Sequence, residues 1–370
     1  MRPTAPSGPA VPSVRTQDRP PAELLAAPCR FSALSLAPRR LLTAADDARW
    51  ETRWTVARID GRPVGAVTSH RPATARFTGG PYELTKLGDV LGRPAPEDPR
   101  RWVFVGGCRD LAAGALTDST LSEDEMAQVR GALAAHAFAE ADAAGDFPVA
   151  LHVRADEAAA FTAGIGPCAV ARELNRTADL FLTGNDVEEH TAALSASQRE
   201  RCRKDRRRFA ALGHTARRVP AETVLAEAAP LVCAVKTKYG VADHPRLALF
   251  RLQEWVRAFG TGDCHASVVR DSGGRLLAVS FFAVQGEALE GYEIGLADDV
   301  EGREYAYLQA MIHGPVQYAF ELGCRRIDLG LDSSVVKQRR GAVISGVWAI
   351  SLAPAADIAP VPADAPTPAA

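Results

Sequence analysis

The chain has 370 residues, of which 47% are hydrophobic and 24% charged, and its formal net charge is −2. That is ordinary globular composition with room for two domains of typical size, and the absence of any run of about 18 apolar residues argues against a membrane span. Seven cysteines are scattered at positions 29, 108, 168, 202, 233, 264 and 324 without a C-x-x-C pair, which argues against a zinc site or a disulfide framework and for a reducing, cytoplasmic setting. The chain has no Walker loop, G-x-G-x-x-G, H-E-x-x-H or G-x-S-x-G, which removes many common enzyme classes.

In chain order, residues 1–22 are rich in Pro, Ala and Ser and read as a disordered lead without the apolar core of a secretion signal. Residues 23–185 form a first domain. Its strands at 54–59 and 63–69 flank Asp60-Gly61, a two-residue hairpin signal. A long Gly/Pro-rich connection (71–100) precedes a short apolar strand at 102–106. A helix over 121–144 opens on Ser122 with Glu125 and stops at Gly145. A buried strand (148–153), a short helix (155–163) and an extended strand (169–182) follow. Residues 186–352 repeat a similar order, with strands at 215–219, 264–270, 276–284, 288–295, 326–329 and 347–352 and helices at 221–239, 246–259 and 304–322. Gly314-Pro315 should kink the last helix. Residues 353–370 read as a disordered Pro/Ala-rich tail. The fold class is α/β (α+β): two similar halves, each a mixed twisted sheet flanked by helices, with a cleft between.

The second half opens on a basic helix over residues 194–212, bounded by a Ser195/Gln198 capping box, or alternatively Ser197/Glu200, and by Gly213. Seven basic residues between Arg199 and Arg208 face two acids, a local balance of 7 − 2 = +5. Leu194, Cys202, Phe209 and Leu212 are expected to dock on the protein body. Arg199, Arg203 and Arg206, with Arg207 beside them, are expected to form a stripe away from it. The stripe is either a solvated helix face or a docking site for a phosphate-rich partner.

The densest chemistry lies at residues 326–341. A strand delivers Asp328 and ends at Gly330; Asp332, Lys337, Arg339, Arg340 and Gly341 follow in a polar segment of the kind that binds ligands at strand ends. Only five lysines occur against 38 arginines, so a lysine here suggests a need for its compact ammonium. Asp328 and Asp332 are candidate proton acceptors, with Tyr305 or Tyr307 as weaker ones; Asp328 could equally anchor the strand end.

The pattern Ile327-Asp328-Leu329-Gly330 with Lys337-x-x-x-Gly341, placed after a long helix, resembles the tandem GNAT-fold acyltransferases. These include the Fem-type aminoacyl-tRNA-dependent peptidyltransferases and acetyltransferase-like proteins labelled as peptidoglycan-biosynthesis or cellulose-biosynthesis-type. The stretch from Leu194 to Gly213 resembles the same family. The likeness covers residues 186–352 in motif and the first half in layout. It departs at Val336, where the family often has an aromatic residue, which bears on the acceptor pocket. The resemblance implies an acyltransferase acting on an amine of a small molecule or peptide precursor. It gives Lys337 the role of stabilising charge at the acyl carbonyl and the leaving ribose. It implies no metal and no tightly bound cofactor.

The donor is aminoacyl-tRNA or an acyl-CoA. The place where a CoA pyrophosphate would meet the long helix reads Asp298-Asp299-Val300-Glu301-Gly302-Arg303-Glu304. Helix N-termini attract anions, but four carboxylates repel them, which favours an aminoacyl donor footed on the basic helix and its Arg199, Arg203, Arg206 and Arg207. The net charge of −2 is low for a tRNA binder. The alternatives are an acyl-CoA-dependent N-acetyltransferase and a non-catalytic nucleic-acid- or anion-binding protein.

Overall fold

A computed structural model describes residues 11–75, 84–92, 94–107, 112–331 and 333–353. Two compact units divide the chain. The first takes residues 1–174 and 346–370, the second residues 175–345. The strands in chain order are β1 (Ser13–Gln17), β2 (Cys29–Arg30), β3 (Trp50–Ile59), β4 (Arg62–Pro72), β5 (Trp102–Val105), β6 (Leu116–Asp118) and β7 (Phe147–Arg154), then β8 (Ala169–Phe181), β9 (Thr215–Pro220), β10 (Cys264–Arg270), β11 (Leu276–Gln285), β12 (Ala288–Leu296), β13 (Arg326–Leu331) and β14 (Val343–Leu352). The chain leaves the first unit along β8 and returns to it along β14.

In the first unit the sheet order is β1-β3-β4-β5-β7-β14, with β2 and β6 paired beside β4. The expected hairpin is β3–β4. Asp60 and Gly61 both sit at positive φ, 51° and 81°, as a turn matched to right-handed strand twist requires. Strand β1 lies within the stretch whose composition reads as a disordered lead. It pairs antiparallel with β3 from Ser13–Arg58 to Gln17–Trp54, because the β3 edge satisfies its backbone, a partner that composition does not reveal. Residues 1–10 of that lead and 354–370 of the tail lie outside the described residues, as does Cys108. The connection from 71 to 100 contains a helix, Leu84–Leu91.

Helix Glu123–Ala143 begins with the Ser122/Glu125 capping box in place and buries Met126, Val129, Leu133 and Phe138 against the sheet and against helix Ala155–Ile165. The two helices meet at Gly131 and Gly164, where a Cβ built on Gly164 would lie 2.1 Å from the Gly131 carbonyl oxygen. Within this unit Glu157 is completely buried. Its carboxylate accepts from the Ser32 hydroxyl and the Ala115 amide and lies near Arg130. Burial raises its pKa despite these partners.

The second unit orders β8 (from Asn175)-β13-β12-β11-β10-β9. All pairs are antiparallel except β12–β13. Helices Val187–Ala193, Ala196–Ala211, Leu225–Lys238 and Pro245–Phe259 accompany the sheet. The long helix runs from Arg303 to Glu321 with one π turn, Gln309–His313, inside it. The interruption expected from Gly314-Pro315 takes this form. The wider turn leaves Pro315, which has no N–H, near the start of the final stretch Gly314–Glu321. Gly314 is needed there, because an added Cβ would sit 2.6 Å from the Ser267 hydroxyl on β10. The core of this unit gathers Leu180, Leu289, Leu308, Ile312, Val316 and Ile327. Among the described residues no helix is long and apolar enough to cross a membrane.

The Gly131–Gly164 approach makes a direct prediction. Gly164→Ala forces the two helices apart and should cost about 1–3 kcal/mol, the usual range for overpacking. Chemical denaturation followed by circular dichroism should show a lower midpoint at unchanged helix content; an unaltered midpoint would contradict the packing described.

Candidate active site

The site is built where two parallel strands part. The β12–β13 ladder holds three residue pairs, Ala288–Arg326, Leu289–Ile327 and Glu290–Asp328, all at the beginnings of the strands. Gly291 passes the Asp328 carbonyl so closely that a Cβ would lie 3.1 Å from it. Beyond this point β12 shifts register against β11 between Ser280 and Phe282, where Gly291 and Ile294 are the opposing residues. A bulge of this kind bends and twists its strand. Residues 291–296 and 329–331 thereby leave the parallel ladder.

Lys337 stands at the carboxyl end of β13, on the short helix Ser334–Gln338, with Ser333 at φ 51° before it. Its side chain is 1% exposed. Its ammonium donates to the carbonyls of Gly330 at 3.1 Å and Leu331 at 2.7 Å. The cation therefore lies in the interior, against the last carbonyls of the strand. Asp328 accepts from the Gly330 amide at 2.8 Å and the Thr177 hydroxyl at 3.3 Å, which is the geometry of a strand-end anchor. Asp332 lies outside the described residues. Gly341 has φ 102°, and a Cβ on it would lie 2.6 Å from Leu194. Only glycine lets this turn lie on the start of the basic helix. Tyr305 and Tyr307 are half-buried and pack on the core of this unit. Arg339 is exposed.

The basic helix, Ala196–Ala211, starts at the Ser195/Gln198 box; the Ser197/Glu200 alternative is not used. Its arginines divide in a way that corrects the expected stripe. Arg199 donates to the carbonyls of Ala192 and Leu194, and Arg206 to the Thr191 hydroxyl. At about 100° per residue these two lie within about 60° of buried Cys202, so they belong beside the docked face. Arg207 pairs with Glu200 at 2.8 Å. Arg203 points outward, along with Arg201, Lys204 and Arg208.

A residue outside the expected site is central to it. Asp205, on the basic helix, is 5% exposed, and its Oδ2 accepts from His313 Nε2 at 3.1 Å and Arg340 Nε at 2.7 Å. Arg340 also donates to the Val336 carbonyl at 2.9 Å. Burial pulls the Asp205 pKa up, but the bonds from His313 and Arg340 outweigh it and hold the carboxyl below its usual range. Burial lowers the His313 pKa, and the charges of Arg206 and Arg340 add to that effect against Asp205. His313 also lines a cleft of about 490 Å3 with Arg206, Gln309, Gln317 and Phe320, whose acidic members are Asp186, Glu188 and Glu321.

A second group missed from sequence gathers on β12. Glu293 Oε1 is held by Lys236 at 2.7 Å and Arg251 at 3.3 Å, and Arg251 also bonds both oxygens of Asp243. The second Glu293 oxygen, Oε2, is buried with no hydrogen-bond partner among the described residues. Beside it Tyr292 stacks on Trp255 with ring centroids 4.9 Å apart. The scarcity of lysine singles out Lys236 as it does Lys337; nothing in the sequence distinguishes Glu293 or His313.

At the entry to the long helix, Arg303 pairs with Asp298 and donates to the Ala297 carbonyl. Asp299, Glu301 and Glu304 are exposed there. Gly302, at φ 66°, is packed under Leu212. The helix N-terminus remains acidic. Among the described residues no group of three or more His, Cys, Asp and Glu side chains is placed to hold a metal ion.

Residues 196–338 match the family model of an acetyltransferase (GNAT) domain. The chain has the tandem GNAT fold. A crystal structure of FemX superposes with a TM-score of 0.59 over 92% of this chain and 97% of that one at 11% identity. A conserved protein of unknown function from Bacteroides thetaiotaomicron gives a TM-score of 0.54 over 92% and 100% at 14% identity. A tandem GNAT protein from the clavulanic acid biosynthesis pathway gives 0.50 over 92% and 98% at 13% identity. No curated protein matches the chain in sequence.

Two buried histidines, His190 and His313, and the half-buried His265 make stability depend on pH. Burial lowers the pKa of His190, His265 and His313, with nearby arginine charges adding to it. As pH falls below about 6.5 the unfolded chain binds protons that the folded chain refuses, so stability falls. Asp205 has a depressed folded pKa, so its contribution is present above about pH 4 and is lost only as pH falls through the lower folded value. Urea midpoints should drop between pH 7.5 and 5.5, and His313→Gln should flatten that drop.

Proposed function

We propose that this tandem GNAT-fold protein is an acyltransferase that moves an aminoacyl group from an RNA-borne ester to an amine of a small molecule or peptide precursor, in its second unit. The observation that carries the reading is the Lys337 ammonium, buried at the carboxyl end of β13 just past the point where β12 and β13 part. A fixed cation at that place favours the oxyanion that forms when an amine attacks an acyl carbonyl, and it does so more in the transition state than in the ground state.

The transfer forms a C–N bond and breaks the ester C–O bond. The amine gives up one proton and the leaving ribose oxygen gains one. Glu293, on the other parting strand, has a buried oxygen with no hydrogen-bond partner among the described residues, and we assign it the proton from the amine. Asp328 is occupied in holding the strand end. The donor is anchored by the exposed cations Arg201, Arg203, Lys204 and Arg208, which suit a phosphate backbone. The acids around Gly302 oppose a pyrophosphate at the long helix, which favours RNA over CoA.

The test uses purified full-length protein with charged tRNA and an amine panel, read by mass spectrometry, with and without ribonuclease. Lys337→Met, which keeps the buried volume, should lower kcat by about 10²–10³. Arg203→Ala should raise the donor KM and weaken its salt dependence. Transfer from acyl-CoA that ribonuclease leaves untouched would overturn the choice of donor, and undiminished turnover by Lys337→Met would overturn the site.

A further inference from the structure

The helix that presents cations outward also grips the segment that carries Lys337. Three contacts do this. Gln198 Nε2 donates to the Gln338 carbonyl at 3.0 Å. Leu194 packs on Gly341 so closely that no Cβ fits. Asp205 Oδ2 holds Arg340 Nε at 2.7 Å, and Arg340 in turn holds the Val336 carbonyl, the residue before Lys337. The same Asp205 oxygen holds His313 on the π turn of the long helix. One buried carboxylate thus joins the basic helix, the long helix and the Lys337 turn. Asp205 is the single acidic residue among the buried positions of its helix, and the charge balance of a basic surface does not require an acid on the inner face.

We propose that Asp205 is a positioning residue for acyl transfer: through Arg340 it sets the place of the 334–341 turn, and so of the Lys337 ammonium, against the helix that docks the donor. The proposal rests on the reading of Lys337 given above. Asp205 touches no reacting atom. Its carboxylate fixes where an otherwise short, five-residue helix stands, and a cation displaced by about 1 Å from a developing oxyanion loses much of its effect.

The test compares wild type, Asp205→Asn, Asp205→Glu, Lys337→Met and the Asp205→Asn/Lys337→Met double variant, with Arg340→Lys as a second route should Asp205→Asn fail to fold. Asp205→Asn should lower kcat at least tenfold with the donor KM within about twofold of wild type, and Asp205→Glu should recover part of the loss. In the Lys337→Met background the same change should have no further effect, because Asp205 acts through Lys337. Equal losses in both backgrounds would overturn the proposal, as would a loss that only tracks the folded fraction. A readout independent of turnover separates this idea from the assignment of Lys337. Hydrogen exchange by mass spectrometry should show faster exchange of peptides covering 334–342 in Asp205→Asn and Arg340→Lys, with β10–β11 unchanged. Unchanged protection of 334–342 overturns the proposal. Loosened protection in Asp205→Asn together with full activity of Lys337→Met would instead overturn the role of Lys337.

Discussion

A carboxylate shut inside a helix-rich interior is tolerable only when its charge is answered there, and Asp205 is answered twice, by His313 and Arg340. Much of the second unit follows from that requirement. Arg340 must reach back to the basic helix, so the turn between Lys337 and Gly341 folds onto it. His313 must reach in from the long helix, and the π turn of which it is the last residue spans that place. Buried pairs of this kind contribute little net stability compared with apolar packing, but they discriminate strongly against misplaced partners. The cluster therefore reads as a device for register more than for stability.

The parting of β12 and β13 supplies the other half of the site. Parallel strands that keep their ladder leave no backbone free and no room between them. Here the ladder stops after three pairs, and the bulge opposite Phe281 turns β12 aside. Past the ladder lie the buried Lys337 ammonium, at the end of β13, and on β12 the half-buried Glu293, whose Oε2 is buried with no hydrogen-bond partner among the described residues. A cation just past the end of β13 and a carboxylate on β12 suit the reaction proposed above, in which negative charge appears at a carbonyl while a proton leaves an amine. The exposed cations of the basic helix, Arg201, Arg203, Lys204 and Arg208, present positive charge outward, as the proposed polyanionic donor requires.

Legibility in the sequence followed the range of the interactions concerned. The Ser195 and Ser122 capping boxes and the Asp60-Gly61 turn were readable because each is closed within four residues. The interruption at Gly314-Pro315 was readable as a break, though not as a π turn. The arginine stripe departs from the expectation for a different reason. Arg199 and Arg206 sit at the margin of the buried face, and a long side chain at a margin can turn either way. The carbonyls of Ala192 and Leu194 and the Thr191 hydroxyl, supplied by the preceding helix and its end, turned them inward. Strand β1 hid in Pro/Ala-rich surroundings because its evidence lay on the edge of β3.

From residue order alone came the fold class, the position and ends of the basic helix, the strand that carries Asp328, which runs one residue past the expected end at Gly330, and the singling out of Lys337. These depend on spacing, capping and composition, which act locally. The tertiary structure alone decided that Lys337 is buried against two carbonyls, that Asp328 is spent on a turn, and that Asp205, Arg340, His313 and Glu293 meet partners 42 to 135 residues away in the chain. Such pairings are set by which surfaces come together when the sheet and its helices pack. An isolated acid in a basic run carries no mark of whether it faces water or the single arginine that needs it.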